Sequence, residues 1–190
     1  MLAALKARFN GADDFCLREL TAGGQVLYAL FLDGMTSGSD ISDFVVRPLM
    51  ENLRPGTPEE LYAQAQHGAV WCAVCEEADS AEAAADKLTH GYCVVVFPGL
   101  AKALCFEAKS GTRRGPSAPE SENTVKGAKD AFTETIRINT ALVRRHLRTP
   151  ELRLVSKTVG RRTQTNVTVC SIAGLTDPKL VARMEKRLAR

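Results

Sequence analysis

QVLYALFLDGMTSGSDISDFVVRPL, residues 25–49, passes from an apolar strand pattern through a glycine turn into a helix pattern. TNVTVCSIAGLTDPKLVARMEKRL, residues 165–188, repeats that order. A shift of 140 positions places Gly34 on Gly174, at the end of the strand pattern in each copy. A fixed offset between two segments with the same order of elements indicates an internal repeat. The chain is therefore predicted to contain two small lobes of related topology.

A further strand pattern precedes each copy, so the repeated unit is two strands followed by a helix. The predicted elements are strands Phe15–Leu20 and Gln25–Asp33 with helix Asp40–Leu53 in the first copy, and strands Leu152–Val159 and Thr165–Ala173 with helix Pro178–Leu188 in the second. We expect an α/β fold in which two lobes of β-β-α topology have mixed sheets flanked by helices.

The first lobe continues beyond its copy of the repeat. Its further predicted elements are a helix at Pro58–Gln66, a strand at Ala69–Cys75, a helix at Ser80–Leu88 and a β-hairpin of Tyr92–Phe97 and Lys102–Ala108. The Gly, Pro and Ser residues that follow are typical of a linker. We predict an N-terminal lobe at residues 1–110, a linker at 111–127 and a second lobe at 128–190.

A long helix is predicted to open the second lobe, over Ala128–Leu147 with Gly127 as its N-cap. At about 100° per residue its apolar side chains share one arc, which also contains Thr135, Asn139 and His146. The apolar members of that arc are Phe132, Ile136, Ile138, Leu142, Val143 and Leu147. We expect the arc to face the core, with the three polar side chains hydrogen-bonded to neighbouring backbone.

The composition is that of a globular domain, with 45% hydrophobic and 25% charged residues. No apolar run approaches the roughly 18 residues that a membrane-spanning helix needs. Residues 1–110 carry 8 Lys or Arg against 15 Asp or Glu, whereas residues 111–190 carry 17 against 7. The second half is therefore suited to an anionic partner, such as an acidic protein surface, an anionic membrane surface or nucleic acid.

Nucleic acid is the least favoured of these partners. Its support is the arginine pairs at residues 113–114, 144–145 and 161–162, together with the basic C-terminal helix. Single strands are usually bound by aromatic side chains interleaved with cations. The only aromatic residue after position 106 is Phe132, which is predicted to lie in the core.

One motif copies a catalytic one: WCAVC at residues 71–75 matches the Trp-Cys-x-x-Cys of thioredoxins. In those proteins the first cysteine opens a helix, and the helix N-terminus lowers the pKa of its thiol. Here the motif is predicted on a strand, where Cys72 and Cys75 point to opposite faces. Adjacent acidic pairs such as Asp13-Asp14 are interpreted as solvated ends. We therefore predict no catalytic centre, no metal site and no cofactor.

PESENTVKGAKDAFTETIRINTALVRRHL, residues 119–147, resembles the hallmark stretch of A subunits of the GerA family of spore germination proteins. An acidic loop, a helix start at Gly127, then Phe, Glu, Asn and a double arginine follow in the family's order. Residues 26–50 and the Ala-Gly-Leu at 173–175 are similar to the family too. Ala128 departs from the pattern, because the family usually has proline there.

The resemblance implies a non-enzymatic N-terminal domain of a spore germinant receptor A subunit, on the cytoplasmic side of the spore inner membrane. It implies nutrient sensing, signalling and receptor assembly, with B and C subunits as partners. A small-molecule germinant and an anionic membrane surface are further candidate partners. Family members continue past this segment, so the second lobe is expected to be truncated. An accessory protein of the same family, of the SpoVAF type, is the alternative.

The family motif also implies candidate ligand or interface residues. They are Glu122, Lys126, Glu134, Asn139, Arg144 and Arg145. We expect Glu122 and Lys126 to make contacts with a ligand or partner. The other four are expected to be chiefly structural, holding the lobes together or lining a cleft between them.

Overall fold

The computed structural model describes residues 1–110 and 131–188. In the first lobe, residues 1–110, one sheet lies between two layers of helices. Its elements are α1 (Leu2–Arg8), β1 (Phe15–Ala22), β2 (Gln25–Leu32), α2 (Gly38–Asp40), α3 (Arg47–Asn52), α4 (Pro58–Gln64), β3 (Cys75–Ala78), α5 (Ala81–Thr89), β4 (Tyr92–Val96) and β5 (Ala103–Glu107). Two π-helical segments, Ile41–Val46 and Ala65–Ala69, follow α2 and α4.

The sheet of the first lobe has five antiparallel strands in the order β1-β2-β4-β5-β3. Helices α3 and α4 and the two π-helical segments cover one face, in a cluster that includes Leu27, Leu49 and Phe106. Helices α1 and α5 cover the other face, in a cluster that includes Leu5 and Leu88. Every residue of β4 is buried, because a central strand between two helix layers has no solvent face.

The described part of the second lobe, residues 131–188, is smaller. Its elements are α6 (Ile136–His146), β6 (Leu152–Val159), β7 (Thr165–Ile172) and α7 (Pro178–Leu188). β6 and β7 form a two-stranded antiparallel sheet, in which Leu152 lies opposite Ile172. An isolated hairpin is marginally stable in water, so this sheet depends on what packs against it.

The chain turns in the same way after the second strand of each β-β-α repeat. The shared backbone hydrogen bonds run from Met35 and Thr36 to the carbonyl of Leu32, and from Leu175 and Thr176 to that of Ile172. Gly34 and Gly174 have φ of 80° and 81°, a conformation that favours glycine. The repeat predicted from the sequence is thus present in hydrogen-bonding detail.

The α/β class and the helix-flanked sheets are confirmed, with corrections of detail. The pairings between the described strands are antiparallel rather than mixed. The helix predicted at Pro58–Gln66 becomes π-helical after Gln64. The predicted linker, residues 111–127, lies outside the described residues, and the domain boundaries remain a prediction.

The strand predicted at Ala69–Cys75 is wrong, because regular strand structure begins only at Cys75. Gly68, with φ of 124°, ends the preceding π-helical segment. The N–H of Trp71 then donates to the carbonyl of Phe44 in the helix layer, at 3.2 Å. The chain therefore follows the helices before it joins the edge of the sheet.

Candidate functional site at the junction of the two lobes

Helix α6 carries most of the described candidate residues, and it begins later than predicted. Residues 131–135 are not helical, and the predicted start at Gly127-Ala128 lies outside the described residues. The Asn139 side chain explains this start, because its oxygen accepts from the N–H of Thr133 and its amide donates to the carbonyl of Thr133, both at 2.7 Å. Such side-chain bonds compete with helical ones. The predicted backbone partner of Asn139 is confirmed.

The buried face of α6 differs from the predicted apolar arc. The buried residues of the helix are Ala141, Leu142 and Arg144. Three members of the predicted arc, Phe132, Ile138 and Leu147, are exposed, and Phe132 is 67% exposed. The placement of these three in the core is therefore wrong. The helix is rotated so that Arg137 and Arg144, rather than those apolar side chains, meet the first lobe.

Arg144 is completely buried and joins the two lobes. Its guanidinium donates to both carboxylate oxygens of Asp14, at 2.8 and 3.0 Å. It also donates to the carbonyls of Thr149 and Leu152, at 2.9 and 3.2 Å. This two-pronged geometry is the strong form of an Arg–carboxylate contact, and it fixes the end of α6 against the start of β1 and β6.

Arg137, two turns earlier on α6, makes a matching contact with Asp33 at 2.5 and 3.0 Å. This pair is about half exposed, so it contributes less than the buried pair. Gly34 lies against the same helix: a Cβ added there would come within 3.0 Å of Ala141 Cβ. Asp33 thus binds α6 through Arg137, and Gly34 leaves the space that lets the helix lie close to the turn.

Asp13 connects the first lobe to β6. Its N–H donates to the carbonyl of Leu154 at 3.0 Å, and its carboxylate accepts from the N–H of Ser156 at 2.7 Å. Arg153, on the same strand, donates to the carbonyl of Arg8 at 3.0 Å. The outer edge of β6 is therefore hydrogen-bonded to the chain just before β1.

A polar cleft of about 170 Å³ lies at this junction. Its walls are Asp13, Asp14, Asp33, Ile136, Arg137, Thr140, Leu154, Ser156 and Thr168. Pockets for drug-sized ligands usually measure about 300–1,000 Å³, so this cleft suits only a small molecule. Its size and its polar lining are compatible with a small polar ligand.

The carboxylates of the cleft already have partners. Burial raises the pKa of Asp14, and the charge and hydrogen bonds of Arg144 oppose that shift. The carboxylate of Asp13 accepts from the backbone N–H of Ser156, and the carboxylate of Asp33 accepts from Arg137. Among residues 1–110 and 131–188, no buried side-chain nitrogen or oxygen lacks a hydrogen-bond partner. The arrangement is therefore suited to holding two lobes together.

The predicted site residues do not assemble into one cluster. Glu122 and Lys126 lie outside the described residues. Glu134 and Arg145 are exposed on α6 or just before it, whereas Arg144 points into the junction. Asn139 shapes the start of the helix. Arg144 is therefore a contact between the lobes, whereas Glu134 and Arg145 lie on the surface.

The sequence interpretation missed the aspartates that receive the arginines. The prediction that Asp14 is a solvated end is wrong, because its side chain is only 11% exposed. A signal was available, because Asp14 precedes β1 and Asp33 follows β2. The hairpin pairs Phe15 with Leu32 and so places Asp14 beside Asp33. The N–H of Asp33 donates to the carbonyl of Asp14 at 2.8 Å.

The WCAVC motif does not have thioredoxin geometry. Cys75 begins β3, and burial raises the pKa of its thiol to about 11. Cys72 lies in the irregular segment before that strand, and its thiol donates to the carbonyl of Glu107 at 3.3 Å. A thioredoxin-like nucleophile needs a lowered pKa at a helix N-terminus, so the observed environment of Cys75 opposes thiolate chemistry.

Within residues 1–110 and 131–188, no helix combines the length and the apolar character that crossing a bilayer requires.

Comparison with known proteins gives a consistent result along the whole chain. The family model described as Bacillus/Clostridium GerA spore germination protein matches residues 3–190. Two Bacillus subtilis proteins are each 30% identical: the uncharacterized membrane protein YfkQ over 182 residues, and stage V sporulation protein AF over 176 residues. The alignments cover 95% and 93% of this chain but only 35% and 36% of those proteins. The chain thus spans about a third of their length.

A solved structure has the same fold. It is the N-terminal domain of the A subunit of the Bacillus megaterium spore germinant receptor GerK3, which matches with a TM-score of 0.75 and 25% identity. The match covers 100% of this chain and 69% of that one. The arrangement of both lobes is therefore shared with that domain.

Proposed function

We propose, because the chain belongs to the GerA family of spore germination proteins, that it is the N-terminal domain of a germinant receptor A subunit. In this role it contributes to nutrient sensing, signalling and receptor assembly, and it catalyses no reaction. The observation that carries the proposal is the family match over residues 3–190. The proposed partners are B and C subunits, and the proposed location is the cytoplasmic side of the spore inner membrane.

Within this proposal, Arg144 transmits changes between the lobes. It is buried and binds Asp14 of the first lobe while it holds the start of β6. A shift of one lobe therefore cannot occur without moving the other or breaking these bonds. Glu134 and Arg145 are exposed and are proposed as contacts to partner subunits. Glu122 and Lys126 remain proposed contacts that lie outside the described residues.

The cleft at the junction is the proposed place for a small germinant. Its volume of about 170 Å³ and its polar walls suit a molecule the size of a small amino acid. Isothermal calorimetry with amino acids, sugars and nucleosides tests this directly. Binding heat that disappears in Thr140→Val, with the fold intact, supports a ligand site. Absence of heat with every compound limits the domain to assembly and signalling.

The receptor role is tested in spores of the bacterium that carries the gene. Deletion should abolish the response to particular nutrients, measured as the fall in optical density of a spore suspension. Restoring the gene should restore the response, whereas restoring it with Arg144→Met should not. Arg148→Met, at an exposed position just after the helix, is the matched control, and immunoblotting checks that both variants are present at equal abundance. An unchanged nutrient response in the deletion strain contradicts the receptor proposal.

An accessory role of the SpoVAF type is the second candidate. The observation in its favour is the 30% identity to stage V sporulation protein AF, against 25% to the GerK3 domain. The same deletion separates the two roles. A receptor is needed for particular nutrients, whereas an accessory protein changes the rate of the response to all of them.

A further inference from the structure

Helix α7 packs lightly on the second lobe and leaves most of its surface uncovered. It has no buried residue. One side faces the sheet, where Val181, Glu185 and Leu188 are half-buried. On that side Glu185 pairs with Lys157 of β6 at 3.1 Å. Within the described part of the chain, the remaining circumference of the helix is exposed.

Two apolar side chains lie on the exposed surface of α7. Leu180 is 43% exposed and Met184 is 48% exposed. They are four residues apart, so they lie on the same side of the helix, one turn from each other. Neither lies on the side that faces the sheet, where Val181 occupies the position that corresponds, at the offset of 140, to the buried Ile41. Leu180 and Met184 therefore form an apolar strip at the surface.

Cations lie directly beside these apolar side chains. They are Lys179, Arg183, Lys186 and Arg187. At about 100° per residue, the four fall in one arc of about 100° that borders Leu180 and Met184. Glu185 is the only acidic residue of the helix, and it lies on the side that faces the sheet, paired with Lys157. The exposed arc thus combines four positive charges with an apolar strip.

We propose that α7 is a membrane-surface helix, which lies along an anionic lipid leaflet. Leu180 and Met184 enter the boundary between headgroups and acyl chains, and the four cations contact lipid phosphates. Amphipathic helices that lie in the interface have this combination of apolar and basic faces. The membrane setting rests on the proposed function, but the helix chemistry is independent of germinant sensing.

A bilayer fits this surface better than nucleic acid does. Nucleic acid would use the cations but would leave Leu180 and Met184 in water, and α7 has no aromatic side chain for base stacking. A lipid leaflet is attracted to the cations through its surface potential and also accepts apolar side chains. A lipid leaflet therefore binds both the cations and the apolar side chains of the exposed surface.

Vesicle co-sedimentation of the 190-residue chain tests the proposal. The probes are vesicles of phosphatidylcholine alone and of phosphatidylcholine mixed with phosphatidylglycerol, in low and high salt. We expect binding to the anionic vesicles only, weakened by salt. Arg183→Gln with Arg187→Gln should lower the partition coefficient about 30-fold. Leu180→Gln with Met184→Gln should also lower it, although every charge is kept.

The matched control neutralises the same number of cations elsewhere. Arg161→Gln with Arg162→Gln, in the turn between β6 and β7, should keep most of the binding, because the turn sequence GRRTQ contains no apolar side chain that could enter a bilayer. Circular dichroism checks that each variant is folded, which is expected for exposed positions. Equal binding to both vesicle types, or unchanged binding by the two α7 variants, overturns the proposal.

Other partners of α7 would be recognised by different outcomes. A dimer seen by light scattering that the Leu180→Gln, Met184→Gln variant abolishes identifies a second copy and overturns the lipid assignment. Tighter binding to an oligonucleotide than to anionic vesicles also overturns the lipid assignment and identifies nucleic acid as the partner. A failed germination test with intact vesicle binding overturns the proposed function alone, so the two failures are distinguishable.

Discussion

The two β-β-α repeats have the same local structure but different surroundings. In the first lobe the repeat is built into a five-stranded sheet, and its helical residue Leu49 is completely buried. In the second lobe Leu188, which an offset of 139 between the two helices aligns with Leu49, is only half-buried on a two-stranded sheet. The comparison teaches that turn and strand pairing are encoded within the repeat, whereas burial depends on how many other elements cover it.

The lobes also differ in charge, and their junction uses that difference. The acidic first lobe supplies Asp14 and Asp33, and the basic second lobe supplies Arg144 and Arg137. Part of the basic excess that predicted an anionic partner is therefore used inside the chain. The cations of α7 are separate from this junction.

The largest effect is expected at the junction. Arg144→Met leaves the carboxylate of Asp14 buried without its cation, which should lower the free energy of unfolding by about 3–5 kcal/mol. Urea denaturation followed by circular dichroism measures this. Arg145→Met, on the exposed side, should change it by less than about 0.5 kcal/mol. Equal effects of the two substitutions would mean that the lobes are not held together by Arg144.

A matched pair of core substitutions sharpens the comparison of the repeats. Leu49→Ala should cost about 3 kcal/mol, because a fully buried leucine loses its packing and leaves a cavity. Leu188→Ala, at the equivalent position, should cost about 1 kcal/mol, because its side chain is already half in water. The same denaturation experiment measures both. A larger loss for Leu188→Ala would show that α7 is buried in solution.

The turn glycines provide a smaller and equally matched test. Both have a left-handed backbone, so Gly174→Ala should cost about 1 kcal/mol through strain alone. Gly34→Ala should cost about 2 kcal/mol, because its new Cβ also meets Ala141 at 3.0 Å, whereas a Cβ at Gly174 meets nothing within 4 Å. Thermal unfolding of the two variants gives the comparison. Identical melting temperatures would mean that α6 does not approach Gly34 in solution.

Thiol labelling compares the lobes without any substitution. Burial raises the pKa of Cys105 to about 12 and also raises that of Cys93, so both thiols should resist alkylation at neutral pH in the folded protein. Cys170, on β7, is exposed and should react first. Peptide mass spectrometry after brief iodoacetamide treatment identifies the order. All cysteines should react at similar rates in urea, and early labelling of Cys93 would indicate an open first lobe.

Much of the fold could be predicted because its signals are local. The bounds of β6 and α7 agree with the strand and helix patterns at Leu152–Val159 and Pro178–Leu188. The helix predicted at Ser80–Leu88 is present as α5, and the hydroxyl of Ser80 accepts from the N–H of Ala83 at 3.1 Å at its start. These features depend on neighbouring residues only, so the pattern of side chains is sufficient to find them.

The junction was predicted only in part because it depends on contacts between distant residues. Arg144 was a candidate, but its partner Asp14 lies 130 positions earlier. Apolar periodicity placed Phe132 in the core, whereas the ion pairs turn a different face of α6 inward. The WCAVC segment had the composition of a strand, but the hydrogen bond from the N–H of Trp71 to the carbonyl of Phe44 holds its start against the helix layer.

By itself, the sequence determined the family, the repeated β-β-α order and the position of the turn glycines, because these follow from short patterns and local backbone conformation. Only the tertiary structure decided which face of α6 is buried, which aspartates receive its arginines and that α7 keeps an exposed apolar and cationic surface. The physical reason is that burial and charge pairing depend on the meeting of segments far apart in the chain, which no local pattern specifies.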